Sequence, residues 1–141
     1  MIIATARTYL GTPYHHLGRV KGIGIDCLGL IICVCRDLGL PYRDRPTYSR
    51  YATGVNLFAE FEEQCQPSTR GEGKILVFAT RKVPNHCGIE ASLGGEPSVI
   101  HALGPSASLG KRKSPAYCVE HHLDEWWESK IVGVYEFPKA L

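Results

Sequence analysis

Three residues of this chain, Cys27, His86 and His101, are of the types that together perform nucleophilic catalysis at a carbonyl carbon. Cys27 follows Asp26 at the start of a predicted helix, where exposed N–H groups and the positive end of the helix dipole stabilise a thiolate. A neighbouring imidazole can accept the thiol proton and later donate it to a leaving group. The sequence therefore predicts Cys27 as the nucleophile and one of the two histidines as its base, with the other histidine orienting that base.

The helix that carries Cys27 is predicted from its ends and from its apolar spacing. Asp26 can cap the first turn, and Gly39 followed by Pro41 supplies a stop. Apolar residues recur near helical spacing between these ends. The alternative is that Cys27 is a small buried residue, as most free cysteines are. The cap and the two downstream histidines favour the nucleophile.

His86 and His101 lie on either side of a glycine pair, Gly94-Gly95, which permits a hairpin. If the histidines are direct cross-strand partners, the turn is centred on Leu93-Gly94, and both side chains project from one face roughly 5 Å apart. One imidazole can then orient the other. A slip of a single residue would change this pairing.

The order of the predicted elements indicates an α+β fold. Helical patterns come first, at 2–10, 27–38 and 55–63. Strand patterns follow Gly73, at 74–78, 87–91, 98–102 and 131–137, with a short helix or turn near 122–127. We expect one domain over residues 1–141, in which N-terminal helices pack on an antiparallel sheet.

The remaining cysteines and histidines do not predict a metal site. The spacings Cys-x-x-Cys and His-Glu-x-x-His are absent from the sequence, and adjacent strand residues such as His86 and Cys87 point to opposite faces. We therefore expect neither a metal nor an organic cofactor. His121-His122 is expected in a loop, and Trp126-Trp127 is expected to anchor the last strand. Reduced packing cysteines are expected at 33, 35, 65 and 118.

The net charge argues against nucleic acid as a partner, and the hydropathy argues against a membrane span. With 16 basic and 14 acidic residues the net charge is only +2, which gives no global basic field for nucleic acid. No apolar run approaches the roughly 20 residues of a membrane span. Residues 1–7 lack a basic leader and a cleavable apolar stretch, so we expect a chain made in the cytoplasm without a signal peptide.

Five motifs, in order along the chain, resemble those of the NlpC-type cell-wall peptidases, a papain-like group of cysteine hydrolases that cut peptidoglycan stem peptides. They are Gly11-Thr12-Pro13-Tyr14, Asp26-Cys27-Leu28-Gly29-Leu30, Gly73-Lys74-Ile75-Leu76-Val77-Phe78, His86-Cys87-Gly88-Ile89 and Ile100-His101-Ala102. The resemblance implies a papain-like fold and a cysteine endopeptidase, in which His86 is the base for Cys27 and His101 orients His86. It implies a peptidoglycan stem peptide as substrate, and we expect cleavage between D-glutamate and a diamino acid.

The same resemblance assigns roles to two residues near the nucleophile. Tyr14 would contact the oxyanion or the substrate, and Asp26 would bind the free amine of the substrate, as in several members of the family. Leu28 replaces the family's usual serine, which in some members contacts the amino terminus of the substrate. The replacement by Leu28 leaves open whether the substrate must carry a free terminal amine.

Leu28 and the closing stretch, residues 119–138, resemble the phage-associated branch of the family, whose members belong to phage tails or gene-transfer particles. This predicts tail proteins as partners and action in the periplasm or cell wall as part of a phage-like particle. Two alternatives stay open. One is a catalytically silent structural tail adaptor, and the other is an amidase or acyltransferase that uses the same Cys-His site.

Overall fold

The computed structural model describes residues 1–44, 57–81, 83–104 and 115–140. The helices in these ranges are α1 (Ile2–Arg7), α2 (Cys27–Leu38), α3 (Leu57–Gln64) and α4 (Glu125–Lys130). The strands are β1 (Arg19–Val20), β2 (Gly24–Ile25), β3 (Gln66–Pro67), β4 (Ile75–Phe78), β5 (His86–Leu93), β6 (Glu96–Ala102), β7 (Cys118–His122) and β8 (Ile131–Glu136). Helices α1 to α3 precede the strands of the main sheet, and only α4 lies among them, so the predicted α+β class is confirmed.

A six-stranded antiparallel sheet forms the centre of the fold, with the strand order β3-β8-β4-β5-β6-β7. Strands β1 and β2 pair separately as a two-stranded sheet next to the start of α2. The helical prediction at 55–63 corresponds to α3, and Val55 and Asn56 lie outside the described residues. No helix in the described part of the chain combines the length and apolarity needed to cross a membrane.

Helix α2 begins and ends where the sequence predicts. The Asp26 side chain accepts a hydrogen bond from the N–H of Gly29 at 2.7 Å, and Gly39 takes the left-handed conformation at the other end, with φ of 69°. Residues 28–35 are all buried, because α2 packs on both α1 and β5. Helix α1 ends at Arg7, earlier than the predicted Leu10, and the chain turns before reaching Gly11.

The sheet has two differently composed faces. The face that packs against α2 is apolar and contributes to a cluster containing Ile75, Val77, Cys87, Ile89, Ile100 and Ala102. The opposite face contributes to a second cluster of buried residues, Leu76, Phe78, Val99, Leu103 and Trp127. Because side chains alternate along a strand, β4 and β6 each supply buried residues to both clusters. His86 and Cys87 are consecutive residues of β5 and belong to opposite faces.

The hairpin between β5 and β6 is centred one residue later than predicted. Leu93 pairs with Glu96, which leaves Gly94-Gly95 as the two-residue loop. The φ angles of these glycines are 60° and 84°. A type I′ turn requires positive φ at both central residues, and glycine adopts that conformation without a steric cost. The backbone requirement of the turn therefore sets the register.

The predicted direct pairing of His86 with His101 is consequently wrong. Ile89 pairs with Ile100, and the same register extended by one residue places Gly88 opposite His101. His86 lies two residues away from Gly88 on β5. A shift of two residues preserves the face, so the histidines share one face of the sheet as diagonal neighbours.

Strand β7 corrects the prediction that His121 and His122 lie in a loop. It pairs with β6, with Val99 opposite His121 and His101 opposite Val119. It is an edge strand, and most of its residues are only partly buried, so it lacks the clear apolar alternation by which strands are recognised. The helix expected near 122–127 is α4, which Asp124 caps by accepting from the N–H of Trp127 at 2.9 Å.

Candidate active site

Cys27 is the first residue of α2 and packs, half-buried, against the apolar cluster between the helix and the sheet. Its position follows from the local sequence, because Asp26 is the N-cap and the helix starts at the next residue. The thiol therefore lies at the positive end of a twelve-residue helix. Such a position favours the thiolate form.

The surroundings of Cys27 lower the pKa of its thiol to about 5. The largest cause is a hydrogen bond with the side chain of Cys87, and a hydrogen bond and the positive charge of His86 add to it. Burial and the negative charge of Asp26 act in the opposite direction without reversing the shift. The thiolate is therefore the main form of Cys27 at neutral pH, as a nucleophile requires.

His86 and His101 are joined directly, with 2.8 Å between Nε2 of His86 and Nδ1 of His101. The diagonal contact is possible because Gly88 has no side chain. A Cβ atom at Gly88 would lie 2.9 Å from Cβ of His101 and 2.7 Å from Cγ2 of Val99. The glycine leaves the space through which the ring of His101 leans towards His86.

The hydrogen-bonded chain continues beyond the predicted pair. Nε2 of His101 lies 2.8 Å from Nε2 of His121, and Nδ1 of His121 lies 2.8 Å from the carbonyl oxygen of His122. His121 was not predicted as a site residue. Val119 and His121 are two residues apart, so in a strand their side chains lie on the same face. This spacing points to a contact between His121 and His101 only once β7 is known to pair with β6.

Trp127 covers the three imidazoles from the side of α4. Its ring centroid lies 4.9 Å from that of His101, 5.5 Å from that of His121 and 6.0 Å from that of His86. His101 is completely inaccessible to solvent. Burial holds the pKa of His101 well below its usual range, and repulsion from His86 and His121 when those rings are charged acts in the same direction. His101 is therefore neutral at neutral pH, with one ring nitrogen as donor and the other as acceptor.

Both carboxylate oxygens of Asp26 are occupied by the protein itself. Besides capping α2, Oδ1 accepts from Nη1 of Arg19 at 3.0 Å, and Oδ2 accepts from the N–H of Leu17 at 2.8 Å. The side chain is only 2% exposed. The structure therefore gives Asp26 a capping and ion-pairing role and leaves little surface for the predicted contact with a substrate amine.

Leu28 follows Cys27 in the sequence, and Tyr14 is brought near Cys27 by a backbone bridge. Tyr14 is half-buried and forms a bridge with Ile25, two residues before Cys27, and its ring packs against Gly104. The assignment of Tyr14 to the oxyanion or substrate stays a prediction. Leu28 is 1% exposed and belongs to the core, so it offers no contact to a substrate.

The other cysteines differ chemically from Cys27. All six cysteines are free, and burial raises the pKa of Cys35, Cys65 and Cys118 to about 12. Their thiols stay protonated and unreactive at neutral pH. Within the described ranges, no group of three or more potential ligand side chains is arranged to hold a metal ion.

Comparison with known proteins identifies related sequences and folds, although no family model matches the chain. A gamma-DL-glutamyl hydrolase from Bacillus subtilis strain 168 is 25% identical over 139 residues, a match that covers 96% of this chain and 29% of the relative. The chain therefore spans less than a third of the length of the curated relative that it matches.

Three solved structures have the same fold. An NLP/P60 protein similar to lipoprotein from Staphylococcus aureus Mu50 is 20% identical with a TM-score of 0.62, and the match covers 98% of this chain and 40% of that protein. The NlpC/p60 domain of the peptidoglycan hydrolase SagA is 21% identical with a TM-score of 0.56, and the match covers 96% of each chain. An NlpC/P60 protein from Bacillus cereus ATCC 10987 is 15% identical with a TM-score of 0.63, and the match covers 98% of this chain and 39% of that protein. The chain has the papain-like fold of the NlpC/P60 proteins, as its five motifs predict.

Proposed function

We propose that this chain is a cysteine peptidase that hydrolyses stem peptides of peptidoglycan. The observation that carries the proposal is the thiol of Cys27 at the start of α2, whose pKa Cys87 and His86 lower to about 5, together with the direct contact between His86 and His101. A structural adaptor needs no such thiolate, and a buried packing cysteine would have a raised pKa. The names of two similar proteins, a gamma-DL-glutamyl hydrolase and a peptidoglycan hydrolase, support the substrate class.

The proposed reaction uses only groups of the chain and water. The thiolate of Cys27 attacks the carbonyl carbon, and the developing oxyanion lies near the backbone N–H at the start of α2. The imidazolium of His86 donates its proton to the leaving amine as the C–N bond breaks, which leaves a thioester on Cys27. Water then attacks the thioester while His86 accepts its proton, and the thiolate is released as the carboxylic acid product forms.

We place the scissile bond between D-glutamate and the diamino acid of the stem. The resemblance of the five motifs supports this assignment, as does the γ-glutamyl specificity in the name of the B. subtilis relative. Mass spectrometry of purified muropeptides incubated with the protein tests it. The expected products are a fragment ending in D-glutamate and a fragment beginning with the diamino acid. Cleavage at any other amide would refute the assigned bond and leave the peptidase in place.

The matched control is the variant Cys27→Ala, which removes the nucleophile at a half-buried position with little change in volume. Cleavage by the unaltered chain and its absence in the variant are the expected results. If neither folded protein cleaves muropeptides, the peptidase proposal fails. A panel of simple amides and thioesters would then test the amidase and acyltransferase alternative, and unreactive Cys27 would favour the tail adaptor.

We further propose that the enzyme does not require a free amine on the substrate. Asp26 is almost inaccessible and already accepts hydrogen bonds from three protein groups, and Leu28 is an apolar core residue, so neither side chain is placed to receive an ammonium group. Stem peptides with a free or an acylated amino terminus should be cleaved with kcat/KM values within about threefold of each other. A preference for the free amine of more than about a hundredfold would show a recognition site that involves other residues.

The proposed place of action is the cell wall, reached as a component of a phage-like particle. This proposal rests on the resemblance of Leu28 and residues 119–138 to the phage-associated branch. Proteomic analysis of particles purified from the producing cells tests it, with the chain expected to co-purify with tail proteins. Its absence from particles that contain the other tail proteins would refute this place of action.

A further inference from the structure

The chain of imidazoles ends on a backbone carbonyl, and this end defines the position of a proton. The carbonyl oxygen of His122 can only accept a hydrogen bond, so Nδ1 of His121, at 2.8 Å, must carry a hydrogen atom. In the uncharged ring of His121 the other nitrogen, Nε2, then carries a lone pair. His121 therefore presents an acceptor to the next ring.

His101 transmits this assignment across β6. Its Nε2 lies 2.8 Å from Nε2 of His121 and must donate, because His121 accepts there. His101 is fully buried and neutral, so it has a single N–H, and its Nδ1 is an acceptor. The acceptor faces Nε2 of His86 at 2.8 Å.

His86 is thereby fixed as well. Its Nε2 must donate to His101, both when the ring is neutral and when it is an imidazolium. Nδ1 of His86 is then the nitrogen that exchanges a proton with Cys27. The proton leaves Sγ of Cys27 and binds Nδ1 of His86, which gives a thiolate and an imidazolium with no change in the hydrogen bond to His101.

We propose that His121 is a positioning residue that selects the reactive tautomer of His86 through His101. The inference rests on the proposed roles of Cys27 and His86. In this arrangement His86 on β5 donates to His101 on β6, and His101 donates to His121 on β7. His121 does not touch the reacting atoms, so its effect depends entirely on the nitrogen that it presents to His101.

The pairing of the strands brings the three histidines into contact in a regular way. Val119 lies opposite His101 on β7, and His121 is two residues further along, so the contact is diagonal like that between His86 and His101. Trp127 packs over all three rings and keeps water away from the nitrogens that join them. Both contacts are 2.8 Å long, which is typical of strong hydrogen bonds.

The other titratable groups near His121 have partners of their own. Glu120, on the same strand, is paired with Arg7 and accepts from Ser98 at 2.7 Å. The ring of His122 bonds to the carbonyl of Leu93 at 3.0 Å. From β6 the titratable group that faces His121 is His101, and α4 contributes the uncharged indole of Trp127.

Three variants of His121 separate the direction of the hydrogen bond from packing. In His121→Gln the amide oxygen can still accept from His101. In His121→Met only the weak acceptor of a thioether sulfur is present, and in His121→Lys only donors are present. The readout is the rate at which iodoacetamide alkylates Cys27 as a function of pH, which requires no peptide substrate and reports the thiolate directly.

We expect alkylation at neutral pH to be within about threefold of the unaltered rate for His121→Gln, and reduced by about tenfold or more for His121→Lys, with His121→Met between them. The matched control is His15→Lys. His15 also bonds through Nδ1 to the carbonyl of the next residue, at 2.9 Å, yet its ring is outside the chain of imidazoles. Equal rates for His121→Gln and His121→Lys, with both proteins folded by circular dichroism, would overturn the proposal.

Nitrogen NMR of histidine-labelled protein gives a second test that is independent of rate. With Cys27 alkylated and the imidazoles neutral, Nε2 of His86 should carry the hydrogen and Nδ1 should be bare. A hydrogen on Nδ1 of neutral His86 would refute the proposed direction. Because neither readout involves peptidoglycan, a failed muropeptide digestion leaves this test intact, and the two proposals can fail separately.

Discussion

The two sides of β5 support the nucleophile in different ways. His86, on the side covered by Trp127, belongs to a series of directed hydrogen bonds. Cys87, on the side of α2, is a fully buried thiol in an apolar cluster. Both lower the pKa of Cys27. The face of His86 thus provides a defined route for a proton. The face of Cys87 provides a single hydrogen-bond donor in an apolar environment, where a hydrogen bond to a charged group is stronger.

The largest expected effect comes from replacing His86. His86→Gln keeps a polar side chain but removes the group that can hold a proton between the two steps. We expect muropeptide cleavage to fall by about a thousandfold or more, measured as kcat/KM. The control is His15→Gln at an exposed position, which should leave kcat/KM unchanged. A decrease of less than about tenfold would contradict the assignment of His86 as the base.

A smaller effect is expected from filling the space through which His101 leans. In Gly88→Ala the new Cβ would lie 2.7 Å from Cγ2 of Val99 and 2.9 Å from Cβ of His101, so these residues must shift, and we expect the contact between His101 and His86 to be disturbed. We expect kcat/KM to fall by about 10- to 100-fold and the free energy of unfolding to fall by about 1–3 kcal/mol. Urea unfolding and kinetics measure the two effects.

Gly71→Ala is the matched control for Gly88→Ala, because its added Cβ would meet only Lys74 atoms, the nearest at 3.8 Å. It should change neither kinetics nor stability appreciably. If Gly88→Ala behaves like Gly71→Ala, the contact between His86 and His101 does not depend on the empty position opposite His101.

The side of Cys87 is tested by removing its donor. Cys87→Ala should raise the pKa of Cys27, since the largest cause of its lowering is removed. The thiolate forms above its pKa, so the acid limb of iodoacetamide alkylation should move to higher pH. Cys87→Ser retains a hydroxyl donor and should show a smaller shift. Equal shifts in both variants would show that packing, and not the hydrogen bond, lowers the pKa.

The smallest effect on catalysis is expected at the hairpin turn. Gly95 has φ of 84°, a conformation that costs an alanine about 1–2 kcal/mol. Gly95→Ala should lower the free energy of unfolding by about this amount in urea titrations. Alkylation of Cys27 at neutral pH should stay unchanged, because the pairing of β5 with β6 persists. A loss of thiolate reactivity without unfolding would show that the turn tunes the site directly.

The local features of the site could be predicted from sequence. Asp26 and Gly39 define the ends of α2 through backbone capping, which depends on residues adjacent in the chain. The position of Cys27 at the helix start follows from them. The α+β class is also readable, because the helical and strand periodicities occupy separate parts of the sequence.

The contacts between strands could not be predicted in the same detail. The register of β5 with β6 depends on which two residues adopt positive φ, and the prediction centred the turn on Leu93-Gly94 where the structure uses Gly94-Gly95. His121 became a partner of His101 only through the pairing of β7, a polar edge strand with a weak sequence pattern. Side-chain contacts across strands are therefore recovered only with the register.

Asp26 shows a further limit. Its type and position predict a cap, and the resemblance adds an amine-binding role. The structure uses both oxygens in the protein, because Arg19 and the N–H of Leu17 come from the loop and strand that precede α2. A carboxylate next to a nucleophile can be structural, and only its accessible surface distinguishes the two roles.

The termination of the imidazole chain on the carbonyl of His122 also determines the electrostatics of the reacting groups. Transfer of the proton from Cys27 to His86 separates charge within the pair and leaves the set neutral overall, as long as His101 and His121 are uncharged. A carboxylate in place of that carbonyl oxygen would make the same set an anion. Under the proposed function, a stem peptide that carries carboxylates beside the bond to be cut therefore meets no added negative charge from the imidazole chain, and the carboxylate of Asp26 near Cys27 is paired with Arg19.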